Sequence, residues 1–180
     1  WLVKTDAAGN MQWSKMYGGY DDESGYSLIQ TSEGGYALTG STESFGAEHP
    51  GDFWLVKTDS YGNTQWSKTY GGTGFEEAYS MVQTSDGGYA LTGYPNSWLV
   101  KTDSYGNTQW SKTYGGPLGQ SKACSLVQTS DGGYALLGST LVLDRSTITD
   151  DWDFWLVKTD ASGNTQWNTT YGGKGYWEDT

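Results

Sequence analysis

Cysteine, histidine, arginine and proline are scarce in this chain, and the scarcity closes off several classes of chemistry. A single cysteine, Cys124, excludes an intrachain disulfide and any cysteine-based zinc cluster. The only histidine, His49, and the only arginine, Arg145, give Ser–His or Cys–His catalysis little to work with. Positive charge is also in short supply: ten Lys and Arg face 21 Asp and Glu, for a formal net charge of −11. Such a field repels nucleic acid and anionic lipid, both of which need a basic surface, and it leaves cation binding or plain solubility open. No apolar run approaches the length of a membrane-spanning helix, and the WLV triplets are among the longest strongly apolar runs. No 3.6-residue periodicity marks a helix, and no glycine-rich loop leads into one to cradle a nucleotide.

Glycine and aromatic residues are abundant instead. Ten Trp, fourteen Tyr and 27 Gly imply a chain that turns often and buries large rings in place of aliphatic side chains. Much of this composition comes from one repeated stretch. WLVKTDSYGNTQWSKTYGG occurs at residues 54–72 and, without a difference, at 98–116, with close copies beginning at Trp1 and Trp155. The leading Trp and the second Trp of each copy (Trp13, Trp66, Trp110, Trp167) are always 12 apart. The leading Trp lies 35, 35 and 36 residues before the Tyr of the next GGYAL (Tyr36, Tyr89, Tyr134). From that Tyr to the following leading Trp the spacing is 18, 9 and 21, so length varies in one connection only.

Each unit holds four strand-like segments forming two hairpins: AYSMVQT with YALTG across SDGG, and FWLVKTD with TQWSKTY across SYGN. In the Asp-x-x-Gly-Asn turns, such as Asp59 to Asn63, Asp is suited to accept backbone N–H bonds and Gly to adopt positive φ. Trp54 and Val56 point to one face of their strand, Leu55 and the stem of Lys57 to the other, while Trp66 and Tyr70 share a face. Sheets apolar on both faces must be covered on both, and four-stranded sheets stacked around an axis satisfy this. The expected fold is all-β, a β-propeller of four-stranded antiparallel blades. Its expected divisions are an outer half-blade at 1–19, blades at 20–72, 73–116 and 117–173, and the start of another at 174–180. Eight of the ten Trp occupy repeated places and are assigned to packing between blades. Cys124 stands where Tyr26 and Tyr79 stand in other copies and is expected to substitute for them in the core. The chain begins and stops in mid-pattern, so it reads as part of a longer object. A further piece of chain or a neighbouring copy is expected to supply the edge that the first hairpin leaves unpaired.

The pattern WLVKTDxxGNxQWxKTYGG…YSxxQTSDGGYALTGST resembles the tandem Trp-rich repeat of many secreted and cell-surface proteins of archaea and bacteria, and does so over essentially the whole chain. The resemblance implies β-propeller blades, an extracellular or cell-surface location and a mostly non-catalytic role. The third copy departs at Tyr94 to Trp98 (YPNSW), where the acidic Asp of DFW (Asp52, Asp153) is missing, so a function that needs this Asp is not shared by every blade.

With this strand order, the variable connection and the link after YGG fall on one face, where binding on a rigid scaffold usually resides. That face is acidic: Asp21, Asp22, Glu23, Glu43, Glu48, Asp52, Glu76, Glu77, Asp150, Asp151, Asp153, Glu178 and Asp179. Carboxylates clustered as at Asp21, Asp22, Glu23, Glu76 and Glu77 suit calcium, although no EF-hand spacing is present and a solvated acidic rim is the simpler and preferred reading. In the longest connection, Trp152 lies outside the repeated places beside Asp150, Asp151 and Asp153, an arrangement suited to stacking and hydrogen bonding a sugar. A loop that merely docks on the neighbouring blade is the simpler and preferred reading. Asn168 to Thr170 (NTT) is an N-glycosylation sequon on the outermost strand. The turn TSDGG faintly resembles the Asp-box of sialidases, but that family needs an arginine cluster which one Arg cannot supply. The function expected is a non-catalytic scaffold, adhesion or assembly module whose partners are proteins or copies of itself. Its rivals are a carbohydrate-binding or glycoside-cleaving propeller using two carboxylates, and a surface-layer or fibre subunit.

Overall fold

A computed structural model of the chain describes residues 1–46, 51–115, 120–143 and 150–172. These residues form an all-β structure of fourteen strands in four antiparallel sheets, with no helix among them. The first sheet is a lone hairpin, β1 (Leu2–Thr5) and β2 (Met11–Lys15). The second is β3 (Glu23–Gln30), β4 (Tyr36–Thr42), β5 (Asp52–Thr58) and β6 (Thr64–Tyr70), paired in that order. The third follows the same order with β7 (Glu77–Gln83), β8 (Tyr89–Tyr94), β9 (Trp98–Thr102) and β10 (Thr108–Lys112). The fourth contains β11 (Ser121–Gln128), β12 (Tyr134–Leu143), β13 (Asp150–Thr159) and β14 (Thr165–Tyr171). Both expected hairpins of each unit are present, and the two kinds of short turn lie at one end of each sheet.

The turns have the chemistry the sequence implies. Asp59 Oδ1 accepts from the backbone N–H of Tyr61 and Asn63 at 2.9 and 2.8 Å, and Asn63 Nδ2 donates to its other oxygen at 2.9 Å. Asp6, Asp103 and Asp160 repeat this network. Gly9, Gly62, Gly106 and Gly163 take φ of +84°, +76°, +77° and +75°, which a side chain would oppose.

A two-sided core forms between successive sheets. Phe53 and Leu55 of the second sheet pack with Met81, Leu91 and Val100 of the third. Leu99 and Ala90 on the third sheet's other face pack with Leu126, Leu136, Trp155 and Val157 of the fourth. Strand alternation produces this: Trp98 and Val100 face back while Leu99 faces forward.

The outer hairpins explain why one stretch recurs. In the first three, the second Trp and the following Tyr grip the Asp-x-x-Gly-Asn turn of the next sheet. Trp13, Trp66 and Trp110 meet Tyr36, Tyr89 and Tyr134 edge-on, at centroid distances of 5.8, 5.8 and 5.7 Å. The hydroxyls of Tyr17, Tyr70 and Tyr114 donate to the carbonyls of Gly62, Gly106 and Gly163 at 2.7, 2.8 and 2.8 Å. Lys15 and Lys112 add a hydrogen bond to Asn63 and Asn164 at 3.0 and 2.7 Å. Each edge-on aromatic pair contributes about 0.5–1.5 kcal/mol beyond its buried area. The second Trp of the fourth outer hairpin, Trp167, has no such neighbour among the described residues and is 47% exposed, and the leading Trp1 is 81% exposed.

Two expectations need correction. Cys124 is exposed and does not substitute in a core. Tyr26, Tyr79 and Cys124 are the unpaired residues of β-bulges at one place in β3, β7 and β11. Tyr26 and Tyr79 stack edge-on at 5.2 Å, whereas Cys124 faces a hollow on the open side of the fourth sheet. The second correction concerns Trp152, which belongs to a strand and not to a connecting loop. The ladder of β12 and β13 continues through Leu141↔Trp152 and Leu143↔Asp150, because the aliphatic run Leu141–Leu143 extends the hairpin.

Candidate functional site

The acidic face consists of several small structural arrangements and not one cluster. Glu23 accepts from Gly19 N and Thr42 Oγ1, both at 3.2 Å. Glu77 accepts from the Tyr26 hydroxyl at 2.6 Å and from the Tyr79 hydroxyl. Glu76 lies instead beside Asp52, and both are buried. Burial pushes the Glu76 carboxyl up, and the neighbouring Asp52 adds to the rise. The backbones of Gly71 and Gly74 approach these two carboxylates so closely that a methyl group there would collide with them. Asp21 and Asp22 remain exposed, with Asp21 N donating to Ser44 Oγ at 2.9 Å. Asp21, Asp22, Glu23, Glu76 and Glu77 are thus spread over separate places. Among the described residues no three Asp, Glu, His or Cys side chains are grouped to hold a metal ion.

At the next junction the acidic pair is exchanged for neutral partners. Asn96 and Ser121 occupy the positions of Asp52 and Glu76, and Ser97 Oγ donates to Ser121 Oγ at 3.1 Å. The missing Asp in YPNSW therefore comes with a missing Glu in SKAC, a paired change that spacing alone does not reveal. Glu48, His49, Arg145, Glu178 and Asp179 lie outside the described residues.

Buried lysines are another feature that strand alternation does not announce, since it assigns Lys57 and its counterparts Lys101 and Lys158 no more than an apolar stem. Yet Lys101 is 4% exposed, with its ammonium held by Asp86 at 2.8 Å, Gln109 Oε1 at 2.9 Å and Thr102 O at 2.7 Å. Lys158 repeats this with Asp131 at 2.8 Å. Lys57 meets Glu33 at a longer 3.7 Å. The acid of TSDGG or TSEGG thus neutralises a lysine from the third strand of its own sheet. Desolvation pushes Asp86 up, but hydrogen bonds from Lys101, Thr84 and Gly88 outweigh it and hold the carboxyl at about 2, below its ordinary 3.8. A depressed folded pKa adds stability that is complete above the unfolded pKa and lost as pH falls through the folded one. The melting temperature of the native chain should therefore exceed that of Asp86→Asn by a constant margin above about pH 4, and the margin should shrink toward about pH 2. A margin that grows with acid would contradict the pairing.

The second candidate is a hollow of about 300 Å³ on the open face of the fourth sheet, lined by Cys124, Leu137, Trp152, Asp153 and Phe154 among others. Trp152 is 50% and Phe154 65% exposed, and the Lys122 ammonium lies 5.9 Å from the Trp152 ring centre. Asp153 flanks Gly172 as Asp52 flanks Gly71. The backbones of Asp150 and Asp151 belong to β13, while their side chains are outside the described part of the structure. The equivalent hollow on the second sheet is filled: Phe53 is fully buried, its ring centre 4.8 Å from that of Trp98 in the next sheet, and Tyr79 covers Tyr26. Asn168 is exposed on the outermost strand β14.

Compared with protein-family models and with curated proteins, the chain matches none of either.

Proposed function

We propose that this chain is a segment of a β-propeller of the Trp-rich repeat type, carried on a secreted or cell-surface protein and serving as a non-catalytic scaffold for adhesion or assembly. The observation that carries this is the use made of the repeated side chains. Trp66, Tyr70 and Lys68, with their counterparts in the first and third outer hairpins, face the next sheet's turn, and Glu23, Glu77, Asp52 and Glu76 of the loop face lie against neighbouring hydroxyls, amides or each other. A rigid stack of equivalent sheets with an acidic rim presents surfaces to other macromolecules at little entropic cost. The resemblance of the repeat to secreted and surface proteins supports the location.

A panel of chromogenic glycosides and a glycan array test this against the carbohydrate-active rival. The expected result is no turnover of any glycoside. Hydrolysis above background that Glu76→Gln or Asp52→Asn abolishes would overturn the scaffold in favour of a two-carboxylate glycosidase.

A further inference from the structure

We infer that the open face of the fourth sheet is a socket for the first hairpin of a second copy of this chain, docked head to tail. The inference rests on the scaffold reading above and names its partner. It continues an interface that the chain already makes with itself three times, at Trp13, Trp66 and Trp110.

At each junction the outgoing face supplies a Trp and a Tyr from the outer strand, and the incoming sheet supplies an Asp-x-x-Gly-Asn turn. The fourth sheet offers Trp167 and Tyr171 in those places, 47% and 60% exposed. The first hairpin offers Asp6 to Asn10, folded by the same Asp-centred hydrogen bonds. Gly62, Gly106 and Gly163 are buried, and a methyl group on any of them would come within about 2.8 Å of the gripping Trp ring. Gly9 has the same left-handed φ, yet nothing lies within 4 Å of where its methyl group would sit. This fourth turn is formed, and among the described residues nothing grips it.

A second match uses different residues. Trp98, the leading Trp of the third sheet, packs on Phe53 of the second. Phe154 is the counterpart of Phe53, and Trp1 is the counterpart of Trp98. The former is 65% and the latter 81% exposed, where Phe53 is fully buried. Trp1 and the Gly9 turn belong to one copy of the nineteen-residue element, so their spacing equals that between Trp98 and the Gly106 turn. Both parts can therefore seat at once, with Trp1 entering the hollow beside Phe154 as Trp167 closes over Gly9. Such a contact joins two different surfaces, so it propagates from copy to copy until the assembly closes.

One element of the lock differs, and it provides a sharp test. Where Lys15 and Lys112 bond Asn63 and Asn164, the fourth sheet has Thr169. Sedimentation of the 180-residue chain over a concentration series should give multiples of the single-chain mass. Trp167→Glu, at an already exposed position, should weaken self-association by at least about tenfold. Thr169→Lys should instead tighten it about fivefold, the equivalent of one net hydrogen bond, by reaching Asn10 of the second copy. Asn10→Ala should cancel that gain. A chain that stays monomeric with its sheets protected in hydrogen exchange would overturn the docking and leave the scaffold standing. Self-association indifferent to both Trp167→Glu and Thr169→Lys would overturn it as well. Glycoside turnover would remove the scaffold reading whatever the mass.

Discussion

Gly93→Ala is expected to destabilise the chain by about 3 kcal/mol or more, the upper end for inserting one methyl group into a packed site. Gly93 lies in β8 opposite the bulge at Tyr79, where β7 crosses unusually close. A methyl group on Gly93 would overlap the Glu77 carbonyl oxygen, and it would also lie 2.9 Å from the Ala78 Cα. These are backbone atoms, so no side-chain rotation relieves the clash. The bulge or the β7–β8 pairing must open instead. Gly40 and Gly138 stand in the same relation to Ser24 and Lys122, which makes the close approach a property of every inner hairpin described. Gly72→Ala is the control: nothing lies within 4 Å of its added methyl group, and a change within about 0.5 kcal/mol is expected. Urea denaturation measures both. Equal stability of Gly93→Ala and the native chain would show that the bulge is misplaced.

Trp66→Ala should cost about 3 kcal/mol, the lower end for truncating a large buried aromatic, since the ring is only partly buried. Its removal takes away the edge-on contact with Tyr89 and the cover over Gly106, and opens the core shared by the second and third sheets. Trp167→Ala removes the same residue type from the same place in the repeat, where no described sheet lies against it. Its cost to the folded single chain should stay within about 0.5 kcal/mol. Measured at a concentration where the chain is monomeric, the contrast separates packing between sheets from anything intrinsic to the hairpin. Similar costs for the two would mean that the Trp stabilises its own hairpin.

The fixed and variable spacings are enough to identify a four-stranded antiparallel unit with two hairpins. Period-two alternation by itself assigns Trp54 and Leu55 to opposite faces. The Asp and Gly of each turn also announce their roles, because a left-handed backbone and an Asp-centred hydrogen-bond network are local properties. These features depend on residues within a few positions of one another, and the sequence determined them.

Tertiary structure decided the rest, for reasons of distance. Lys101 is a half-buried stem by alternation alone, and becomes a buried ion-pair partner only when Asp86, from the turn of the inner hairpin, comes to 2.8 Å. Glu76 and Asp52 belong to a solvated rim by composition, and are buried where Gly46, Gly71 and Gly74 close on them. Trp152 falls in a long connection by spacing, and joins a strand because the pairing of β12 with β13 runs on to Asp150. Identical letters likewise acquire different roles: among the described residues Trp66 has a sheet in front of it and is packed, while Trp167 has none and is 47% exposed. Local sequence sets which groups each strand presents on each face. Whether a face meets a neighbour, and what that does to burial and charge, depends on contacts between segments about fifty residues apart, and those exist only after the sheets have stacked.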